Sequence, residues 1–152
     1  MNNEIKPKAF LSPHRILFLE HTSKKDVLLT LAENLAAAPQ IKNSRELSSE
    51  ILKREELMST AIGCGIAIPH VRLSSVTDLV VSVGISRVNI ADFNPMDDDP
   101  VRLVFMIAAA QNQHSYYLQT LSWFSKKLKN KELRNALLAS QTADEAFNLL
   151  LF

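Results

Sequence analysis

One histidine in this 152-residue sequence lies where it could take part in chemistry. His70 follows Pro69 and the apolar run of residues 66–68, which is typical of a short buried strand. Proline fixes its own φ and favours an extended residue before it, so we expect the strand to end with His70 held in a defined direction. A neutral imidazole carries a lone pair at pH 7, which suits it to act as a nucleophile or to meet an anion or a partner protein.

Residue type alone favours a more ordinary role, because a single histidine is more often a surface or core residue than a reactive one. Two of the three glycines, Gly63 and Gly65, precede the predicted strand and indicate a turn. Backbone N–H groups in such a turn can line an anion pocket. Cys64 lies between the glycines and is expected to be a small space-filling residue.

The wider sequence around His70 carries a recognisable pattern. Residues 54–72 read REELMSTAIGCGIAIPHVR, and their RE-x-x-x-ST-x-I-G-x-G-I-A-I-P-H resembles the active-site signature of one class of bacterial proteins. This is the fructose/mannitol class of enzyme IIA domains of the phosphotransferase system, which includes the nitrogen-regulatory members. The resemblance runs from about Phe18 to the end of the chain. It includes S-K-x-x-x-L-x-x-L-A at residues 23–32 and P-V-x-L-V-F at residues 100–105.

The resemblance implies that His70 is a phosphoryl acceptor in a phosphotransferase component, with a phosphohistidine intermediate. The donor would be the small phosphocarrier protein HPr, and the group would pass to a IIB domain or act as a regulatory switch. No metal or organic cofactor is implied. Phosphoryl transfer requires in-line positioning and stabilisation of charge on the equatorial oxygens rather than covalent work by the protein.

A phosphoryl group adds about 1.5–2 negative charges at neutral pH, so cationic or N–H donors are expected around His70. The resemblance implies Arg54, because a guanidinium can bind two phosphate oxygens and keeps its proton. The residue pattern alone equally allows a solvated charge at a helix end. Ser59 and Thr60 also follow the family pattern, and they either donate hydrogen bonds near the site or cap a turn.

The resemblance further implies a second histidine at the start of the helix after the long apolar strand. Tyr117 occupies the matching place here, and His114 lies three residues earlier, one turn away on the same helix face. Whether His114 or the Tyr117 hydroxyl contacts the phosphoryl oxygens stays open. His14 and His21, in the weakly patterned amino-terminal part, are expected to have no chemical role.

The elements that must position these residues follow from hydrophobic spacing and capping signals. Helices are predicted at residues 24–38, from a Ser44 cap to about Arg54, from His114, at 131–139 and from a Thr142 capping box. Strands are predicted at residues 16–19, 66–68, 79–85 and 101–110, with polar loops at 74–78 and at the aspartates of 97–99. The helix from His114 is expected to present Leu118, Leu121, Ser125 and Leu128 to the core.

Strands that alternate with helices and short connections predict an α/β fold, in which a mixed sheet is sandwiched between helices on both faces. The resemblance adds that the sheet has roughly five strands. We expect residues 1–15 to be an N-terminal arm and residues 16–152 to be a single enzyme IIA domain. The apolar rim of the site is expected at Ile62, Ile66 and Val71.

Composition excludes several classes of function. The chain has 17 basic and 16 acidic side chains, so its near-neutral charge gives no reason to expect a nucleic-acid partner. No apolar run reaches the ~18–20 residues that span a bilayer, so no membrane insertion is expected. The amino terminus lacks the apolar segment of a secretory signal, and the single cysteine cannot form an internal disulfide. These features predict a cytoplasmic protein.

Three functions remain open at this point. The first is a phosphocarrier for sugar uptake, and the second is a regulatory module of the nitrogen-related type that uses the same phosphorylation as a switch. The third is a regulatory protein-binding module that is not phosphorylated. The intact Pro69–His70 pair and Arg54 argue against the third, whereas the displaced second histidine keeps it open.

Overall fold

The computed structural model describes residues 4–20 and 22–151. This part of the chain contains six strands and five α-helices, preceded by two short 3-10 helices at Pro7–Ala9 and Pro13–Arg15. The strands are β1 (Ile16–Leu19), β2 (Ala61–Gly63), β3 (Ile66–Ala67), β4 (His70–Leu73), β5 (Val80–Ile90) and β6 (Val101–Ala110). The helices are α1 (Lys24–Ala36), α2 (Ser44–Leu57), α3 (His114–Lys127), α4 (Lys131–Ala139) and α5 (Ala143–Leu149).

The six strands form one mixed sheet in the order β1-β5-β6-β3-β2, and β4 also pairs with β6. β1 is parallel to β5, and β5 is antiparallel to β6. β3 and β4 both run parallel to β6, whereas β2 turns back antiparallel to β3. The predicted α/β class and mixed sheet are confirmed, with six strands in place of about five.

The segment that carries His70 differs from its prediction. His70 begins β4 instead of ending a strand, and β3 and β4 share one register on β6, with Ala67 opposite Val104 and His70 opposite Ile107. Pro69 lies in the gap between the two strands, and it has no N–H to give to the ladder. Its carbonyl still accepts the N–H of Ile107 at 2.9 Å. β3 and β4 are therefore one strand interrupted at Pro69.

Helices cover both faces of the sheet, as predicted. Side chains of β6 alternate, so that Val104 and Met106 pack with α1 and α2, whereas Phe105 and Ile107 pack with α3, α4 and α5. This alternation is the period-2 geometry of a strand buried on both faces. His70 and Arg72 alternate with Val71 and Leu73, which belong to the α1/α2 core, so the histidine side chain lies on the α3 face.

Two predictions about helices are wrong in detail. Asn43 rather than Ser44 caps α2, because the Asn43 side chain accepts the N–H of Glu46 at 3.0 Å. The buried face of α3 consists of Tyr117, Thr120 and Phe124, followed by Leu128, instead of the stripe that begins at Leu118. Leu118 is about half exposed. The apolar spacing predicts the helix correctly but assigns its buried face incorrectly, because the aromatic rings of Tyr117 and Phe124 pack in the core.

The residues before β1 contribute to the core. Phe10 is fully buried, and its ring makes edge contacts with Phe124 and Trp123, with centroids 6.0 and 6.4 Å apart. Its carbonyl accepts hydrogen bonds from Val81 N–H and from the Arg15 guanidinium. A boundary between arm and domain at residue 16 remains a prediction, but the second half of the predicted arm packs against the helices.

We predict that Phe10→Ala lowers the free energy of unfolding by about 3–5 kcal/mol, the usual effect of truncating a fully buried phenylalanine. Urea denaturation followed by circular dichroism measures the change. Met96→Ala is the matched control, since Met96 is 99% exposed and its truncation should change stability by less than about 0.5 kcal/mol. Equal effects of the two substitutions would show that the amino-terminal segment does not belong to the core.

Candidate functional site

His70 has one ring nitrogen engaged and one free for chemistry. Nδ1 lies 2.6 Å from the backbone oxygen of Ile68. A carbonyl oxygen can only accept, so Nδ1 carries the proton and the neutral ring keeps its lone pair on Nε2. The side chain is partly buried at the start of β4. The hydrogen bond therefore fixes both the tautomer and the ring orientation of a potential nucleophile.

His70 opens into a cleft of about 500 Å³. The walls come from the end of α2, the segment leading into β2, and α3, which contributes Leu121 and Ser125. The lining includes Arg54, Ser59 and Thr60, and no carboxylate of the described residues lines it. The cleft thus combines an imidazole and a guanidinium in a lining without carboxylates, an arrangement that suits a phosphoryl group.

The predicted apolar rim is correct for one residue of three. Ile62 is 49% exposed and lines the cleft, whereas Ile66 and Val71 are buried in the two cores. Their places are taken by Leu57 and Met58 at the end of α2, which are 82% and 77% exposed. Exposed large apolar side chains beside a polar cleft are typical of a protein-docking surface.

Arg54 lies in the last turn of α2 and is exposed at the cleft. No acidic side chain within residues 4–20 and 22–151 forms an ion pair with it. Its charge is therefore available to a ligand. The sequence left open a solvated helix-end charge, and the structure adds that this charge faces the same cleft as His70.

Tyr117 and His114 are placed very differently. The Tyr117 ring is buried against His70, with ring centroids 5.6 Å apart. Burial raises the pKa of the Tyr117 phenol, while the nearby charges of Arg54 and Arg72 lower it. His114, the first residue of α3, is exposed and is absent from the cleft lining. Tyr117 does not line the cleft either, but its ring contacts His70 and its phenol responds to the charge of Arg54.

Arg72 is a residue that sequence reasoning missed. It follows His70 by two residues on β4, so both side chains lie on the same face of the sheet. Its Nη1 donates to the backbone oxygen of Gln111 at 2.6 Å, and its charge acts on the Tyr117 phenol. Period-2 alternation would have found Arg72 if the strand had been extended beyond His70.

Ser59 and Thr60 line the cleft, but their hydroxyl protons are already donated. The Ser59 hydroxyl donates to the backbone oxygen of Phe93. The Thr60 hydroxyl donates to Oε2 of Glu55 at 2.7 Å, and the Thr60 N–H donates to Oε1 at 3.0 Å. In this arrangement both residues hold the loop between α2 and β2, which corresponds to the capping alternative.

The turn at residues 63–65 does not contribute to the cleft lining. It joins β2 to β3, and its Cys64 N–H donates to the Asp97 carboxylate at 2.7 Å. This bond is the largest cause of the lowered pKa of Asp97. Gly63, Cys64 and Gly65 all have positive φ. The Cys64 N–H of this turn is therefore occupied by the Asp97 carboxylate, and an anion pocket at the turn stays a prediction.

Other site types find no support in the described residues. No group of three or more histidine, cysteine, aspartate or glutamate side chains there could hold a metal ion. No helix in the same part of the chain is long and apolar enough to cross a bilayer. His14 is exposed in the second 3-10 helix, and His21 lies outside the described residues.

The effect of the Arg54 charge on the Tyr117 phenol predicts a titration result. Because the cation favours the phenolate, Arg54→Gln should raise the pKa of Tyr117. Tyr116 is the internal control, since its pKa is raised by burial and by Asp78 and should not respond. Tyrosine-selective NMR titration between about pH 9 and 12 resolves the two phenols. An unchanged Tyr117 pKa would show that the charge of Arg54 does not act on the Tyr117 phenol.

Comparisons with known proteins show the family of the chain. Residues 9–152 match the family described as phosphoenolpyruvate-dependent sugar phosphotransferase system, EIIA 2. The phosphotransferase system fructose-specific EIIABC component of Bacillus subtilis is 33% identical over 147 residues, which is 96% of this chain but 23% of that protein. The nitrogen regulatory protein of Klebsiella oxytoca is 33% identical over 130 residues, or 86% of this chain and 80% of that protein.

Solved structures share the fold. The nitrogen regulatory protein IIA-Ntr from Neisseria meningitidis superposes with a TM-score of 0.86 at 26% identity, over 93% of this chain and 97% of that one. The mannitol IIA of Escherichia coli superposes with a TM-score of 0.78 at 24% identity, over 92% and 98% of the two chains. The family match covers every strand, α-helix and cleft residue described above. The chain belongs to the EIIA 2 family of the sugar phosphotransferase system, whose members are phosphotransferase components that act as phosphocarriers.

Proposed function

We propose that His70 is the phosphoryl acceptor of this protein and that Nε2 is the reacting atom. The observation that carries the proposal is the Nδ1–H···O=C bond to Ile68, which leaves the lone pair on the nitrogen that faces away from the backbone. The proposed donor is a phosphohistidine of an HPr-type phosphocarrier. This family context also makes the cytoplasm the expected location.

The transfer is balanced without any other reactant. The Nε2 lone pair of His70 forms a bond to phosphorus while the P–N bond of the donor breaks, and the donor imidazole recovers its electron pair. No net oxidation occurs, and the phosphoramidate formed on His70 stays reactive enough to pass the group onward. Leu57, Met58 and Ile62 surround the cleft with apolar surface on which the donor protein can seat.

The groups around His70 are proposed to stabilise the transferred phosphoryl group. Arg54 supplies a permanent charge at the cleft, and Tyr117 supplies a phenol whose raised pKa keeps it a hydrogen-bond donor at pH 7. Arg72 adds a second guanidinium, whose charge also acts on the phenol. Tyr117 rather than His114 is the proposed partner of His70, because its ring contacts the imidazole. Ser59 and Thr60 act by holding the loop that forms the cleft wall.

Two outputs fit this chemistry, and they differ in where the phosphoryl group goes. Transfer to a IIB domain would serve sugar uptake, as the name of the Bacillus subtilis fructose-specific relative indicates for that protein. A phosphorylation-dependent contact with a target protein would serve regulation, as the name of the Klebsiella oxytoca relative indicates. The identity to this chain is 33% in both cases, so similarity alone does not separate them.

We predict that phosphoenolpyruvate, enzyme I and HPr together label this protein with acid-labile, base-stable phosphate. His70→Ala should abolish the label, because it removes the nucleophile. Phosphate release at acid and alkaline pH and mass spectrometry of the labelled peptide measure the result. Absence of label on the wild-type protein would leave the alternative function, a regulatory protein-binding module that is not phosphorylated.

The labelled protein also separates the two outputs. Rapid loss of the label to a IIB domain of the same organism would assign the sugar-uptake role. Retention of the label with every IIB domain, together with a partner retained by wild-type protein but changed by His70→Ala, would assign the regulatory role.

We predict that Arg54→Lys slows labelling of His70 by about 10–100-fold, because an ammonium cannot bind two phosphoryl oxygens at once. Tyr117→Phe should slow it by about 10-fold, through loss of one hydrogen-bond donor. His114→Ala is the matched control and should label at the wild-type rate. Rapid-quench kinetics with excess phospho-HPr gives the rates. The opposite ranking of the Tyr117 and His114 variants would assign the second donor to His114.

A further inference from the structure

A buried carboxylate lies directly beside the cleft arginine. Glu55 follows Arg54 on α2, but its side chain points inward and the residue is 4% exposed. Its Oε1 accepts the Thr60 N–H at 3.0 Å and lies 2.9 Å from Nζ of Lys24, and its Oε2 accepts the Thr60 hydroxyl at 2.7 Å. A carboxylate with three donors in a low-dielectric environment is held in one geometry.

These bonds connect the two residues on which the proposed transfer depends. The Thr60 carbonyl accepts the Ile68 N–H at 3.0 Å, and the Ile68 carbonyl accepts Nδ1–H of His70 at 2.6 Å. A continuous chain of hydrogen bonds therefore runs from the last turn of α2 through the loop to the imidazole. Arg54 shares that turn of α2, so the position of the guanidinium relative to His70 depends on Glu55.

The charge of Glu55 also needs a counterion. A phosphoryl group brings about 1.5–2 negative charges into the cleft, and an unpaired carboxylate behind the cleft wall would repel it. Lys24, the first residue of α1, supplies the counterion with a side chain that is 17% exposed. Its Nζ also lies 5.1 Å from the ring centroid of Phe93, whose backbone oxygen accepts the Ser59 hydroxyl.

We propose that Lys24, Glu55 and Thr60 form a positioning network for phosphoryl transfer. Glu55 fixes the position of Arg54 relative to His70, and Lys24 neutralises the charge of Glu55. Neither the Glu55 nor the Lys24 side chain contacts the transferred group. The proposal rests on the function proposed above for His70 and adds to it two residues outside the cleft lining. It explains why the hydroxyl proton of Thr60 is directed into the protein instead of into the cleft.

A purely stabilising role is the competing explanation, and kinetics distinguish the two. Loss of positioning lowers the rate at saturating donor and leaves the apparent KM for the donor unchanged, because the docking surface is intact. We expect Glu55→Ala to slow labelling of His70 at saturating phospho-HPr by about 10–100-fold, with KM within about 3-fold of wild type. Glu56→Ala is the matched control, since Glu56 lines the same 320 Å³ pocket as Lys24 and Glu55 but is exposed.

A double variant keeps the test independent of folding. Lys24→Met with Glu55→Gln removes both charges, and replacing a buried pair in this way is often neutral for stability. The glutamine loses the second oxygen that accepts the Thr60 hydroxyl. A double variant with the wild-type melting temperature but at least 10-fold slower labelling supports positioning. Wild-type labelling and stability together would overturn the proposal, as would an equal loss of rate in Glu56→Ala.

A readout without turnover separates this proposal from the one on which it rests. In protein labelled with 15N-histidine, the ring nitrogens of His70 report the fraction of the Nδ1–H tautomer. Glu55→Ala should lower that fraction and speed amide exchange at Ile68, whereas Glu56→Ala should change neither. If phospho-HPr does not label the wild-type protein with phosphate, the proposed function is wrong, but this tautomer measurement is unaffected. An unchanged fraction of the Nδ1–H tautomer in a folded Glu55→Ala protein would overturn the positioning proposal, even if His70 is phosphorylated.

Discussion

The hydrogen bond from Nδ1 of His70 to the Ile68 carbonyl is the interaction on which the site depends. The bond requires that the Ile68 carbonyl accepts no hydrogen bond from a neighbouring strand and that it points toward the side chain two residues later. The register of this segment provides the geometry. The carbonyls of Gly65 and Pro69 face β6 and accept N–H groups there, so Ile68 faces the opposite side, where its N–H donates to the Thr60 carbonyl. β2 begins only at Ala61 and does not pair with the Ile68 carbonyl, which accepts the imidazole N–H instead.

The distribution of charge around His70 follows the same logic. Arg54 faces the cleft and Arg72 lies on the same sheet face as His70, whereas Glu55, which follows Arg54 on α2, is buried with Lys24 as its counterion. Asp97 accepts a backbone N–H at the β2–β3 turn, outside the cleft lining. No carboxylate of the described residues lines the cleft beside Arg54 and His70, so an incoming anion meets none there.

The residues of the candidate site are easier to predict from the sequence than the elements that position them. His70 and Arg54 stand out through a long pattern, and the five α-helices and strands β1, β3, β5 and β6 follow from spacing and breakers, whereas β2 is not predicted. β4 is not predicted because a proline usually ends a strand, although the period-2 alternation of side chains resumes at His70. The burial of Phe10 has no local signal, since its contacts with Phe124 and Trp123 join residues far apart in the chain. The orientation of α3 was also set by such distant contacts.

The substitution of a phenol at the place where the resemblance implies a second histidine changes the electrostatics of the proposed site. An imidazole would add or lose a charge near neutral pH, because its ordinary pKa lies at ~6.5. Burial raises the pKa of the Tyr117 phenol, so it remains a neutral donor at any physiological pH. The charge that meets the phosphoryl group then comes from Arg54 and Arg72, both of which act on the phenol. Tyr117 adds a hydrogen-bond donor without a charge of its own, and His70 keeps its lone pair on Nε2 because the Ile68 carbonyl accepts the Nδ1–H.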